Sequence, residues 1–145
     1  FWFKKIISLS NLVAYVLFQI IGAIFGCLAA NIIFGLPIVT ISTHVRHDLS
    51  QFLSEILATF GLVLVIFLAR EVARQNIPIL VGSYIASAYW FSSSTSFANP
   101  AVTIARQFSD TFTGISPSGI PSFVLAQIFG AILGYIVVQW LSRDM

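Results

Sequence analysis

Apolar residues fall in long runs, and four of these approach the roughly 20 residues that a helix needs to cross about 30 Å of hydrocarbon. They lie near Asn11 to Leu36, Phe52 to Ala69, Ile77 to Phe91 and Ile120 to Leu141. The pattern predicts an all-α membrane protein with four transmembrane helices. The third run is short, and residues 92–112 after it are too apolar for a free loop yet hold no unbroken apolar stretch long enough to cross. Within that stretch Asn99-Pro100 predicts a helix start, because Asn caps well and Pro at the first helical position loses no hydrogen bond. Ser109-Asp110, and then Gly114, Pro117 and Gly119, predict its end. The resulting helix has about ten residues, enough for half a bilayer at about 1.5 Å per residue. Non-helical backbone at such depth is tolerated only where it is buried in protein or lines a water-filled cavity. The serine-rich run before Asn99 fits a wet wall, so a re-entrant half-helix is expected over 92–112.

The first and last runs are alike. At an offset of 108 residues, Ser10, Val16, Leu17, Gln19, Ile20, Gly22, Ala23, Ile24 and Gly26 match Ser118, Val124, Leu125, Gln127, Ile128, Gly130, Ala131, Ile132 and Gly134. Those are nine identities in 17 positions, where composition alone gives roughly two, and duplication accounts for them better than convergence. With alternating spans the copies cross in opposite senses, an inverted repeat that places the functional site near the midplane between the halves. Residues 1–145 are expected to form one channel-like domain, with 8–36 the last helix of a first repeat and 51–145 the second repeat. A copy of the Asn-Pro-Ala segment is then expected about nine residues before Phe1, and the chain is expected to be a fragment. Gly22, Gly26, Gly130 and Gly134 have the small-xxx-small spacing of close helix crossings and are assigned to helix packing.

Composition supports this picture. Of the 145 residues, 58% are hydrophobic and 8% charged, and the mean hydropathy is +0.96, whereas soluble domains are about 25% charged. The net charge of +2 is spread thinly, which excludes a nucleic-acid surface. Lys4, Lys5, Arg70, Arg74 and Arg143 fall on one side of alternating spans, and Arg46 and Arg106 on the other. The larger group is cytoplasmic by the positive-inside rule, which puts the C-terminus inside and loop 37–50 outside; a plasma (inner) membrane is the expected location. Cys27 sits in an apolar run and reads as packing. His44 and His47 lie in a loop without thiol or acidic ligands, so neither a metal site nor a cofactor is expected. No nucleophile, base and orienting group cluster, which argues against an enzyme. Glu55 is the one acid inside a span and needs partners or a function.

Asn99-Pro100-Ala101 opening a short half-helix after Phe97-Ala98, together with the repeat, resembles the second signature loop of the major intrinsic protein family, the aquaporins and aquaglyceroporins. The resemblance covers the whole chain. It likens the four spans to the family's third to sixth helices and implies that the first two helices and the first Asn-Pro-Ala loop lie upstream. It implies a passive channel for water and small uncharged solutes in a lipid bilayer, and a homotetramer. The family's constriction positions fall, counted without gaps, on Ser87, Ser96 and Val102, with Val102 where an Arg is usual. That substitution implies a pore wide enough for glycerol or neutral metalloids such as arsenous acid; alternatively Val102 only packs. Arg106, one turn further on, is a candidate vestibule charge, or else a partner of Asp110. Glu55 matches a family glutamate that braces the re-entrant backbone; a proton-coupling role is the alternative. The competing functions are a water-selective aquaporin and an ion-coupled transporter with broken helices.

Overall fold

Ser8 starts the first helix by accepting a hydrogen bond from Asn11 N at 3.2 Å. The computed structural model describes residues 7–142 and is helical throughout its regular structure, with no strand among the described residues. The topology argument from Lys4, Lys5 and Arg143 therefore lies outside the described residues. Helix α1 runs Leu9–Ile33, α2 Leu49–Val72, α3 Ile77–Phe91, α4 Pro100–Ala105 and α5 Ile120–Leu141. Single 3-10 turns at Arg74–Asn76, Arg106–Phe108 and Pro117–Gly119 complete the set. Gly35, with φ 68°, supplies the left-handed residue that ends α1, and Leu36 N returns to Asn31 O at 2.8 Å.

Three helices, α1, α2 and α5 extended to Pro117, are long and apolar enough to cross a membrane. Helix α3 has the bounds expected for the third run, but its 15 residues rise only about 22 Å. Pro78 sits in its first turn and Ser92 turns extended at its end, so the flanking backbone limits it at both sides.

The core is the α2–α5 pair. Gly130 and Gly134 let the backbones approach: a Cβ at Gly134 would lie 2.9 Å from Val63 Cβ and 3.0 Å from Phe60 O, and one at Gly130 would collide with Ile56 O. Among the described residues Gly22 and Gly26 have no such neighbour, since a Cβ at either meets nothing within 4 Å. Glycine only permits a close approach; it does not supply the neighbour. Large apolar side chains such as Phe18, Phe25, Ile33 and Trp90 point outward, as suits surfaces that face lipid.

The stretch expected to be re-entrant is neither a continuous rod nor a free loop. Helix α4 and the 3-10 turn after it make nine helical residues, packed between α1 and α5, with irregular backbone on both sides. Asn99, φ −155° and ψ 123°, caps α4 through Oδ1, which accepts from Ala101 N at 2.8 Å.

Candidate functional site

The backbone before the half-helix is unusual: Thr95, Ser96 and Ala98 have φ of 60°, 47° and 49°. Left-handed conformations cost a non-glycine residue about 1 kcal/mol or more each, so something must hold them. Glu55, fully buried on α2, does much of this. Its carboxylate accepts from Phe97 N at 3.3 Å and from Ala98 N in a short contact, and from Gln127 Nε2 of α5 at 2.8 Å. Gln127 Nε2 also reaches Thr103 Oγ1 at 2.8 Å, tying α5 to α4. Ser94 Oγ accepts from Ser96 N, and Ser54 Oγ from Ser94 N.

A second brace comes from the connection between α1 and α2. Arg46 is only 6% exposed, and three of its nitrogens donate to carbonyls on both sides of the half-helix: Nη1 to Ser94 O at 3.1 Å, Nη2 to Phe112 O at 2.6 Å and Nε to Gly114 O at 2.7 Å. Burial, and then the nearby Arg106 charge, push its pKa below the usual arginine value. Strand-like contacts Thr40 N to Phe108 O, Ser42 N to Gln107 O and Ser116 N to His44 O lay the same connection along the end of the half-helix. Asn31 of α1 closes the other side. Its Nδ2 donates to Ile38 O and Phe108 O, each at 3.0 Å, and its Oδ1 accepts from Ser109 Oγ at 2.7 Å.

Between α1 and the half-helix lies a cavity of about 670 Å³. Its wall includes Ala23, Cys27 and Asn31 from α1 and Val102, Ala105 and Arg106 from the half-helix. Val102 also packs against the buried cluster of Phe97, Ile115 and Phe123, so it both lines and packs. The guanidinium of Arg106 sits 4.8 Å from the centre of the Phe97 ring and donates from Nη1 to Thr113 O at 3.3 Å.

The alternative pairing of Arg106 with Asp110 does not form. The helix stops at Phe108 and Ser109 is extended, which breaks the four-residue register. Asp110 instead accepts from Thr43 N at 2.8 Å and from Thr43 Oγ1 at 3.1 Å, with His44 Nε2 at 3.8 Å. Its carboxyl is held below the usual carboxylate range, chiefly by the Thr43 backbone N–H.

The three positions taken for the constriction are not gathered on one wall. Val102 lines the cavity, whereas Ser96 is buried outside its lining with its hydroxyl unpartnered among the described residues. Ser87 is exposed on α3 and donates back to Ser83 O at 2.9 Å. Ser96 has a left-handed backbone and is buried outside the cavity lining, neither of which a gapless count of positions can anticipate. Sequence reasoning also missed Arg46, Asn31 and Gln127. A polar residue inside an apolar run was a usable signal for the last two; for Arg46, in a loop, there was none.

Aquaglyceroporin AqpS of Rhizobium meliloti (strain 1021) is 48% identical to this chain over 130 residues, which is 90% of this chain and 56% of the relative. The chain thus spans little more than half the length of the relative it matches. No family model and no solved structure matches it. Identity at that level over nine-tenths of the chain, on an all-helical architecture with a short capped helix between apolar spans, makes this chain similar to an aquaglyceroporin over the part of that relative it covers.

Proposed function

We propose that the protein is a passive channel for water and small uncharged solutes such as glycerol. The observation that carries this reading is the cavity beside the half-helix, whose wall is mainly apolar and presents Val102 and Arg106 one turn apart. Val102 puts a short uncharged side chain where the family usually has an Arg, which favours solutes larger than water, neutral metalloids such as arsenous acid included. Arg106 supplies donors and a positive charge nearby. Asn99 uses Oδ1 to cap the helix, which leaves its side-chain N–H groups to donate to a passing oxygen beside Pro100 and Ala101. A positive field from the arginine and the helix start opposes cations. Glu55 is engaged by three donors, which supports bracing over proton coupling and so a channel over an ion-driven transporter.

On this reading 8–36 and 51–145 belong to two inverted repeats, with the pore between them. The working form is a homotetramer in the plasma (inner) membrane, with its C-terminus in the cytoplasm. The test is solute flux through the full-length protein in proteoliposomes. Glycerol and arsenous acid permeability should be indifferent to a proton gradient, and Val102→Arg should lower both about tenfold while slowing water less. Glycerol flux that requires the gradient would overturn the channel reading.

A further inference from the structure

Two arginines divide three successive carbonyls of the segment that follows the half-helix. Phe112 O accepts from Arg46 Nη2 at 2.6 Å, Thr113 O from Arg106 Nη1 at 3.3 Å and Gly114 O from Arg46 Nε at 2.7 Å. The two guanidinium carbons also lie 5.5 and 4.8 Å from the centre of one ring, that of Phe97. Neither group is within ion-pair distance of a carboxylate among the described residues.

The pair is asymmetric. Arg46 is buried and engaged at all three nitrogens, with its third bond to Ser94 O. Arg106 makes one long hydrogen bond among the described residues and lines the cavity. Like charges sharing one aromatic ring repel, and the tethered one cannot move. The planar fork of Arg46 matters here, because a lysine offers a single nitrogen and cannot reach three separated carbonyls.

We propose that Arg46 is a positioning residue that sets solute selectivity. By occupying the carbonyls of Phe112 and Gly114 and repelling Arg106 past the Phe97 ring, it confines Arg106 to Thr113 O with its other donors turned to the cavity. Without Arg46, two strong acceptors on either side of Thr113 O become free. Arg106 then swings onto them, and the cavity loses its donors and widens. The inference rests on the cavity being part of the permeation path.

The experiment is a double-mutant cycle on full-length protein in proteoliposomes, reading the ratio of glycerol to water permeability, which does not depend on how much protein is inserted. Arg106→Gln should raise the ratio about fivefold, Arg46→Gln should raise it in the same direction, and Arg46→Gln should add nothing once Arg106 is Gln. A shift from Arg46→Gln that persists in the Arg106→Gln background overturns the proposal, because Arg46 would then act independently. So does an unchanged ratio in Arg46→Gln when Arg106→Gln moves it. An unchanged ratio in Arg106→Gln removes the permeation reading itself, and this inference with it. Arg46→Lys keeps the charge and loses the fork, so an intermediate shift is expected. If Arg46→Gln fails to insert, Arg46→Lys in both backgrounds decides by the same criterion.

Discussion

On α1, Gln19, Gly22 and Gly26 are exposed, and a Cβ at either glycine would meet open space. On α5 the same three letters recur as Gln127, Gly130 and Gly134. There Gln127 is buried on Glu55 and Thr103, and both glycines lie against the α2 backbone. The two helices have nearly equal apolarity and length, so nothing intrinsic separates them. What differs among the described residues is that α2, with Glu55, stands opposite α5. A glycine pair spaced by four is thus a permission to pack, and a buried amide is a demand for a partner; neither creates the neighbour.

The largest test of this comparison is steric. Gly130→Leu or Gly134→Leu should abolish folding or cost at least about 3 kcal/mol, because each new side chain runs into α2 backbone or Val63. Gly22→Leu in the same 145-residue chain should leave thermal unfolding, followed by far-UV circular dichroism in detergent, unchanged. Equal losses at both sites would mean that α1 has a neighbour too.

Next comes the polar contact. Glu55→Leu leaves the backbone N–H groups of Phe97 and Ala98 unpaired and should cost about 3 kcal/mol. Gln19→Leu should cost nothing by the same unfolding assay. Glu55→Gln keeps an acceptor and should fall between; if Glu55→Gln changed neither unfolding nor flux, the bracing role of this residue would be lost.

A smaller effect is expected where α1 does have a role, at its buried end. Asn31→Ala removes three hydrogen bonds around Ser109 and Phe108 and should cost about 2 kcal/mol. It should also speed limited proteolysis within 109–116, a readout that exposed α1 positions should not move.

The smallest effect is on acidity. Asp110 has a depressed carboxyl pKa in the folded protein, so its contribution is complete above the ordinary carboxylate value near 3.8 and is lost as pH falls through the lower folded value. Unfolding temperature should therefore drop below about pH 4, and Asp110→Asn should flatten that part of the profile. No such change is expected from substitutions on the exposed face of α1.

Much of the fold was legible before any coordinates. Runs of apolar residues marked α1, α2, α3 and α5 within a few positions, because a bilayer admits only segments that satisfy their own backbone. Asn99-Pro100 marked the start of the half-helix, and Ser109-Asp110 its end, because capping is a local property of a few residues. The site was less legible. Ser96 and Val102 looked equivalent as lining residues, yet only Val102 lines the cavity while Ser96 is buried in left-handed backbone. Arg46 looked like an outer-loop charge, yet its guanidinium enters the protein to reach carbonyls 48 to 68 residues away in sequence.

Sequence alone determined that this is a helical membrane segment whose first and last apolar runs share nine identities, where the half-helix begins and ends, and that an apolar side chain holds the position after Asn99-Pro100-Ala101. Those properties follow from composition, periodicity and capping, which act within a few residues. Only the tertiary structure decided which copy of the repeated glycines is buried, that Arg46 braces the half-helix from the connection between α1 and α2, and that Arg106 lines the cavity while Ser96 does not. Each of these depends on long-range pairing of polar groups in a low-dielectric interior, where a donor takes whichever acceptor the folded chain brings to it.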